Sequence, residues 1–295
     1  MKEPLFTGTC TALVTPFTEQ GIDVKALEAH ANWQIEEGVS ALVACGTTGE
    51  PSTMSEAEWS LTIETVIRAA RGRVPVIAGT GGNNTAHVKA QAKRAKALGA
   101  DAQLCVTPYY NKTTQGGLIA HYTAIADEGS LPIIIYNVPG RTGLNMAPET
   151  LAALSGHEKI LAMKEASADL TQAADMIRLC GGRIDFYSGS DEVVIPLMSL
   201  GGLGVISVLS NVAPALTCHM TEKMLSGDVK GAAGLQLKLM PLIHLLFSEV
   251  NPIPAKAGLA AMGRCLDILR LPLIPMTAPN RAKLAGEMKA LGLLT

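Results

Sequence analysis

Eight short apolar runs recur along this chain, separated by longer stretches of helical character, and this alternation constrains the fold more than any other feature. The runs are Cys10–Val14, Ala41–Cys45, Pro75–Ala78, Ala102–Val106, Ile133–Tyr136, Ile160–Lys164, Asp185–Ser188 and Gly204–Val208. Most are continuously apolar, the pattern of strands buried on both faces of a parallel sheet. The segments between them carry helix signals. Ser55-Glu56-Ala57-Glu58 has the form of a capping box opening a helix through Arg71. Asn84 is placed to cap a helix through Leu98, which Gly99 ends. Pro148 suits the first turn of a short helix, and Asp169 with Gln172 opens the next.

Strands repeating every ~19–34 residues with helices between them predict an α/β fold, a closed (β/α)₈ TIM barrel. An open doubly wound sheet is the alternative; it would usually place a GxGxxG turn after the first strand, and none is there. Length alone, 295 residues, would suit two small domains, but barrels of this size fold as one. Beyond the eighth run, one helix closes the barrel. Val229–Phe247, Pro254–Leu266 and Pro279–Leu291 then form an appended C-terminal helical bundle, with Asn251-Pro252-Ile253-Pro254 a rigid break between two of its helices. The expected division is a barrel catalytic domain over 1–226 and a C-terminal helical region over 227–295.

Composition narrows the function. Apolar residues at 48% and charged residues at 17% allow a large buried core. A net charge of −2 without a strongly basic block argues against nucleic acid as a partner. The six cysteines include no CxxC pair and read as small buried hydrophobes in a reducing compartment. The six histidines form no HExxH or similar cluster, so no metal is expected. Met1–Thr9 lacks the pattern of a signal peptide, and no apolar run reaches the roughly 18 residues of a membrane span, so no membrane partner is expected. The expectation is a soluble, cytoplasmic protein.

Barrel enzymes carry their chemistry at the C-terminal ends of the strands. Lys164 ends the sixth run; desolvated there, its amine would be neutral enough to attack a carbonyl. Taken alone, it reads more simply as a strand-end lysine snorkelling to water. Tyr136, ending the fifth run, offers a phenol for proton transfer, or a packed ring with a satisfied hydroxyl. Thr47 and Thr48 could relay protons or hold a carboxylate, or serve ordinary turn chemistry between Gly46 and Gly49. Arg141 could clamp a carboxylate, or lie in a surface loop. Tyr109 and Tyr110 could be buried aromatics at an interface. Each signal is weak singly; together they gather amine, phenol, hydroxyls and guanidinium at one barrel mouth.

At these residues the chain resembles the dihydrodipicolinate synthase / N-acetylneuraminate lyase superfamily of pyruvate-dependent class I aldolases. The resemblance is densest at Gly46–Glu50, Val76–Gly81, Val106–Asn111, Tyr136–Gly143, Lys164–Ala166, Gly204–Val208 and Asn251–Pro254. Within the superfamily, Arg141-Thr142-Gly143, and Asn251–Pro254 followed by Lys256, resemble the synthase branch. The resemblance implies a lyase that joins pyruvate to aspartate β-semialdehyde, yielding 4-hydroxy-tetrahydrodipicolinate in diaminopimelate and lysine biosynthesis. It implies that Lys164 forms the imine and that Tyr136, Thr47 and Tyr110 relay protons, Tyr110 being inserted from the neighbouring subunit of a tight dimer, itself paired into a homotetramer. Thr48 and the backbone near Gly189 and Ile206 would line the pyruvate pocket, and Arg141 would bind the aldehyde substrate's carboxylate. No cofactor is expected, because the imine is the electron sink.

Two rival functions stay open at this point: an aldolase for keto-deoxy sugar acids or N-acetylneuraminate, and a non-catalytic keto-acid-binding relative. Departures from the family pattern fall in loops: Pro51-Ser52 for the more usual Ser-Pro, Thr113 for a Pro, Gly116 for a Glu. The resemblance also implies a lysine-binding cavity at the dimer interface. Asn83 and Tyr109 match it, His87 stands where a carboxylate is usual, and Glu56 and Trp59 stand where inhibited bacterial forms often have histidines.

Overall fold

The computed structural model describes residues 3–129 and 131–294. Met1, Lys2, Ser130 and Thr295 lie outside the described residues, and with them the extreme ends of the two expected regions. Eight strands close into a barrel: β1 (Gly8–Ala12), β2 (Ala41–Ala44), β3 (Val76–Gly79), β4 (Ala102–Val106), β5 (Ile133–Asn137), β6 (Ile160–Glu165), β7 (Asp185–Ser188) and β8 (Gly204–Ser207). Each pairs in parallel with its sequence neighbours, and β1 pairs with β8 to complete the ring. Every strand position but a few is buried, because the helical layer covers the outside and side chains fill the inside.

The helix signals act as anticipated. Ser55 Oγ accepts from the Glu58 amide, and Glu58 returns the bond to the Ser55 amide at 2.9 Å, opening the helix Glu56–Ala70. Asn84 caps Thr85–Leu98, which Gly99 ends in the left-handed conformation. Asp169 accepts from the Gln172 amide at 3.0 Å. One expected helix is shorter than its pattern: Pro254–Leu266 is replaced by Ile253–Ala261. Gly263, at φ 70°, turns the chain out of the helix, and residues 264–270 run back as irregular chain toward the barrel mouth. The helices Val229–Leu246, Ile253–Ala261 and Ala278–Ala290 share a core with the β8 side of the barrel, where Leu242 and Ile243 pack among Leu209 and Val212.

Facing is set strand by strand. On β5, Ile133 and Ile135 join the outer core beneath the helices, while Ile134 and Tyr136 point into the barrel. On β6, Ile160 is outward, so strict alternation would turn Lys164 outward as well. It does not, because the β5–β6 register slips between Ile133 and Ile134: Ile133 pairs with Ile160, but Ile134 pairs with Ala162. The extra residue, Leu161, packs with the inner core, and Ala162 follows it inward. Met163 is then outward and Lys164 inward, level with Tyr136 on β5.

Candidate active site

Lys164 is 4% exposed, and its Nζ lies 4.2 Å from the centre of the Tyr136 ring. Burial pushes the Lys164 ammonium down to about 8; Cys10 and Asp191 oppose that shift, and the Arg141 charge adds to it. Burial likewise pushes the Tyr136 phenol up to about 12, against the pull of Arg141. At neutral pH the phenol therefore keeps its proton, while roughly a tenth of the lysine is free amine. Gly189, at the end of β7, is needed beside it. A Cβ there would stand 2.6 Å from Ala166 Cβ and 3.0 Å from Lys164 Cε.

A cavity of about 260 Å³ opens over Lys164. Thr47, Thr48, Tyr136, Arg141 and Gly189 line it, so these five and Lys164, all singled out from sequence, are brought together. Ile206 does not line it. It is fully buried in the barrel interior, and Val208, two residues further along, forms that wall. Tyr110 is also absent from this wall; it is 91% exposed, with φ 66° in the loop after β4.

Three contributors left little trace in the sequence. Asn251, read in the sequence as part of a rigid break and of the family-like segment Asn251–Pro254 but given no role, donates from Nδ2 to Thr48 Oγ1 at 3.0 Å and accepts at its carbonyl from Arg141 Nη2 at 3.4 Å. Asp191 is buried; its carboxylate accepts from Ser207 Oγ at 2.6 Å and from the Val208 and Leu209 amides at 2.9 and 3.0 Å. Burial raises the Asp191 pKa, while those three donors and the Lys164 charge lower it. Glu50 closes the turn that carries Thr47 and Thr48, its own backbone left-handed at φ 58°, ψ 41°. In the sequence it stood only as the last residue of the family-like segment Gly46–Glu50, with no role of its own.

A larger cavity of about 550 Å³ adjoins the first and shares Gly46, Thr47, Tyr136 and Arg141 with it. Glu56, Trp59, Asn83, His87 and Tyr109 all line it. The Trp59 indole donates to the Gly79 carbonyl at 3.1 Å, Asn83 donates to the Tyr109 carbonyl at 3.3 Å, and Glu56 pairs with Arg94 at 2.8 Å. Among the described residues no group of three or more His, Cys, Asp or Glu side chains is arranged to hold a metal ion, and no helix is long and apolar enough to cross a membrane.

Chemically, the smaller cavity combines a partly neutral amine, a protonated phenol, two hydroxyls and a guanidinium. Such a set can add an amine to a carbonyl, move the protons this requires, and hold a carboxylate. The chain matches the Dihydrodipicolinate synthetase family over residues 5–291. It is 49% identical over 292 residues to the 4-hydroxy-tetrahydrodipicolinate synthase of Thermoanaerobacter sp. (strain X514), covering 99% of this chain and 98% of that one. Its structure superposes with a TM-score of 0.96 on the chloride-inhibited dihydrodipicolinate synthase of Acinetobacter baumannii solved with pyruvate, at 42% identity over 98% of this chain and 99% of that one. It superposes with a TM-score of 0.95 on the enzyme of Cyanidioschyzon merolae solved with lysine bound, at 39% identity over 99% of this chain and 100% of that one.

Proposed function

This chain belongs to the dihydrodipicolinate synthetase family, and we propose from that membership and from its barrel mouth that it condenses pyruvate with aspartate β-semialdehyde through an imine on Lys164. The observation that carries the proposal is the buried amine of Lys164, lowered to about 8 beside a protonated Tyr136. The neutral amine attacks the keto carbon of pyruvate, and loss of water leaves the imine. Loss of a proton from the pyruvate methyl gives the enamine, whose carbon attacks the aldehyde of the second substrate. That substrate's own amine then displaces Lys164 and closes the ring, so the amine is regenerated. Tyr136, protonated at neutral pH and beside the amine, donates and recovers the protons.

The hydroxyls of Thr47 and Thr48 and the open backbone at Gly189 suit the pyruvate end of the cavity. Arg141, on the rim, suits the carboxylate of the aldehyde substrate by a charge-assisted fork. The exposed ring of Tyr110 supports a role in the relay of a partner subunit, within a tight dimer and a dimer of dimers. The product, 4-hydroxy-tetrahydrodipicolinate, places the reaction in diaminopimelate and lysine biosynthesis, a cytoplasmic pathway step. Borohydride reduction in the presence of pyruvate tests the centre of this reading. A pyruvate adduct mapped to Lys164 is expected; an adduct on another lysine, or none, rejects it.

A further inference from the structure

Glu50 and Lys256 form a buried ion pair, Oε1 to Nζ 2.6 Å, with both side chains essentially inaccessible to solvent. Lys256 also donates to the Ile268 carbonyl at 2.8 Å and lies 4.0 Å from the centre of the buried Phe17 ring. The second Glu50 oxygen accepts from the Arg270 amide at 3.3 Å. The Arg270 side chain covers the same Phe17 ring at 4.3 Å and donates to the Thr53 carbonyl at 2.9 Å. A single carboxylate thus ties the end of the 47–50 turn to two separate pieces of the C-terminal region.

A buried ion pair is a weak source of stability, since desolvation offsets most of the attraction and a well-packed apolar pair often serves as well. What it supplies is direction: the carboxylate must face both the ammonium and the amide. The turn needs that direction. Glu50 is a non-glycine residue in left-handed backbone, and its amide closes the turn on the Thr47 carbonyl at 3.1 Å. Two residues before it, Thr48 Oγ1 accepts from Asn251. Asn251 and Lys256 lie on one short stretch, at and just inside the start of the helix Ile253–Ala261, and they grip the turn at both ends. With its oxygen held by Asn251, the Thr48 hydroxyl is free to turn its own proton into the cavity.

We propose that Glu50 and Lys256 are positioning residues that hold the Thr47–Thr48 turn in register with Lys164, so that the C-terminal helical region completes the pyruvate-binding wall. The inference rests on the pyruvate chemistry argued above. Neither residue touches the smaller cavity, so their effect runs through the turn.

The test is the double substitution Glu50→Gln/Lys256→Met, which removes both charges and keeps the volume. Pyruvate-dependent borohydride trapping is measured in the wild type and the variant across pyruvate concentration, with thermal melting alongside. The expected result is a folded variant whose half-saturating pyruvate concentration rises about ten- to a hundredfold, the size of effect that misplacing a contact group by about 1 Å can produce. The maximal extent of Lys164 modification should be retained. A folded variant with wild-type pyruvate dependence overturns the proposal, whatever its melting temperature, because a merely structural pair would move only the melt. If the double variant does not fold, Glu50→Asp carries the test, since it keeps both charges and shifts the anchor by one methylene. Unchanged pyruvate dependence there overturns the proposal equally. Absence of any pyruvate adduct in the wild type overturns the underlying pyruvate chemistry as well, which separates that failure from a failure of the positioning role alone.

Discussion

Lys164 and Tyr136 sit directly opposite one another across the β5–β6 pairing, both inside the barrel, with the ammonium nitrogen 4.2 Å from the ring centre. Burial lowers the lysine, so part of its amine is free at neutral pH, and raises the phenol, so its neighbour keeps its proton there.

The first consequence is a pH profile. Imine formation needs the neutral amine, so the rate of pyruvate trapping should rise close to tenfold per pH unit well below 8 and flatten above it. A midpoint near the ordinary lysine value of 10.5 would contradict the buried amine. Stability should follow the same group. Its folded pKa lies below its unfolded one, so between about 8 and 10.5 the unfolded chain binds more protons. The burial penalty of the ammonium is therefore carried in full below about pH 8 and relieved as pH rises through that window, which urea titrations at several pH values can follow.

Arg141→Ala should leave pyruvate trapping largely intact and weaken use of aspartate β-semialdehyde. Losing a charge-assisted contact costs on the order of 1.5–3 kcal/mol, about ten- to a hundredfold in kcat/KM. Because the Arg141 charge helps to lower Lys164, the midpoint of trapping should also move upward. Unchanged kinetics toward the aldehyde substrate would remove Arg141 from its assigned role.

Tyr110→Phe should lower turnover strongly with little change in folding, since the ring is 91% exposed in the isolated chain and its volume is preserved. Mixed dimers sharpen the test: Tyr110→Phe subunits combined with Lys164→Ala subunits regain one complete site per dimer and should recover part of the activity. Verified mixed dimers without recovery would show that Tyr110 does not serve a partner's site.

Inhibition by lysine should be weak or absent. His87, in the larger cavity, offers an imidazole where a carboxylate would pair with the ligand's amine. Glu56 lines the same cavity, and its carboxylate pairs with Arg94 at 2.8 Å. Loss of one charge-assisted contact corresponds to about 2 kcal/mol, roughly thirtyfold in affinity. Half-inhibition at submillimolar lysine would overturn this and would point to Glu56 as the substitute carboxylate.

What the sequence determined by itself was local and repetitive. Short, mostly apolar runs identified all eight barrel strands, and Ser55, Asn84 and Asp169 marked helix starts, because side-chain burial and capping act over a few residues and leave a periodic trace. Lys164, Tyr136, Thr47, Thr48 and Arg141 were legible because barrel geometry brings strand ends to one rim. Other features were decided only by the tertiary structure. Alternation counted from Ile160 turns Lys164 outward; the register slip beside Ile134 turns it in, and that slip depends on how β5 and β6 pair. Thr48 meets Asn251 across 203 positions, and Glu50 meets the Arg270 amide across 220. Such partners leave no periodic trace, because each charge or amide looks locally like any other polar residue. Only chain closure brings them together in the buried interior, where an unpaired charge would be costly and its direction is therefore set.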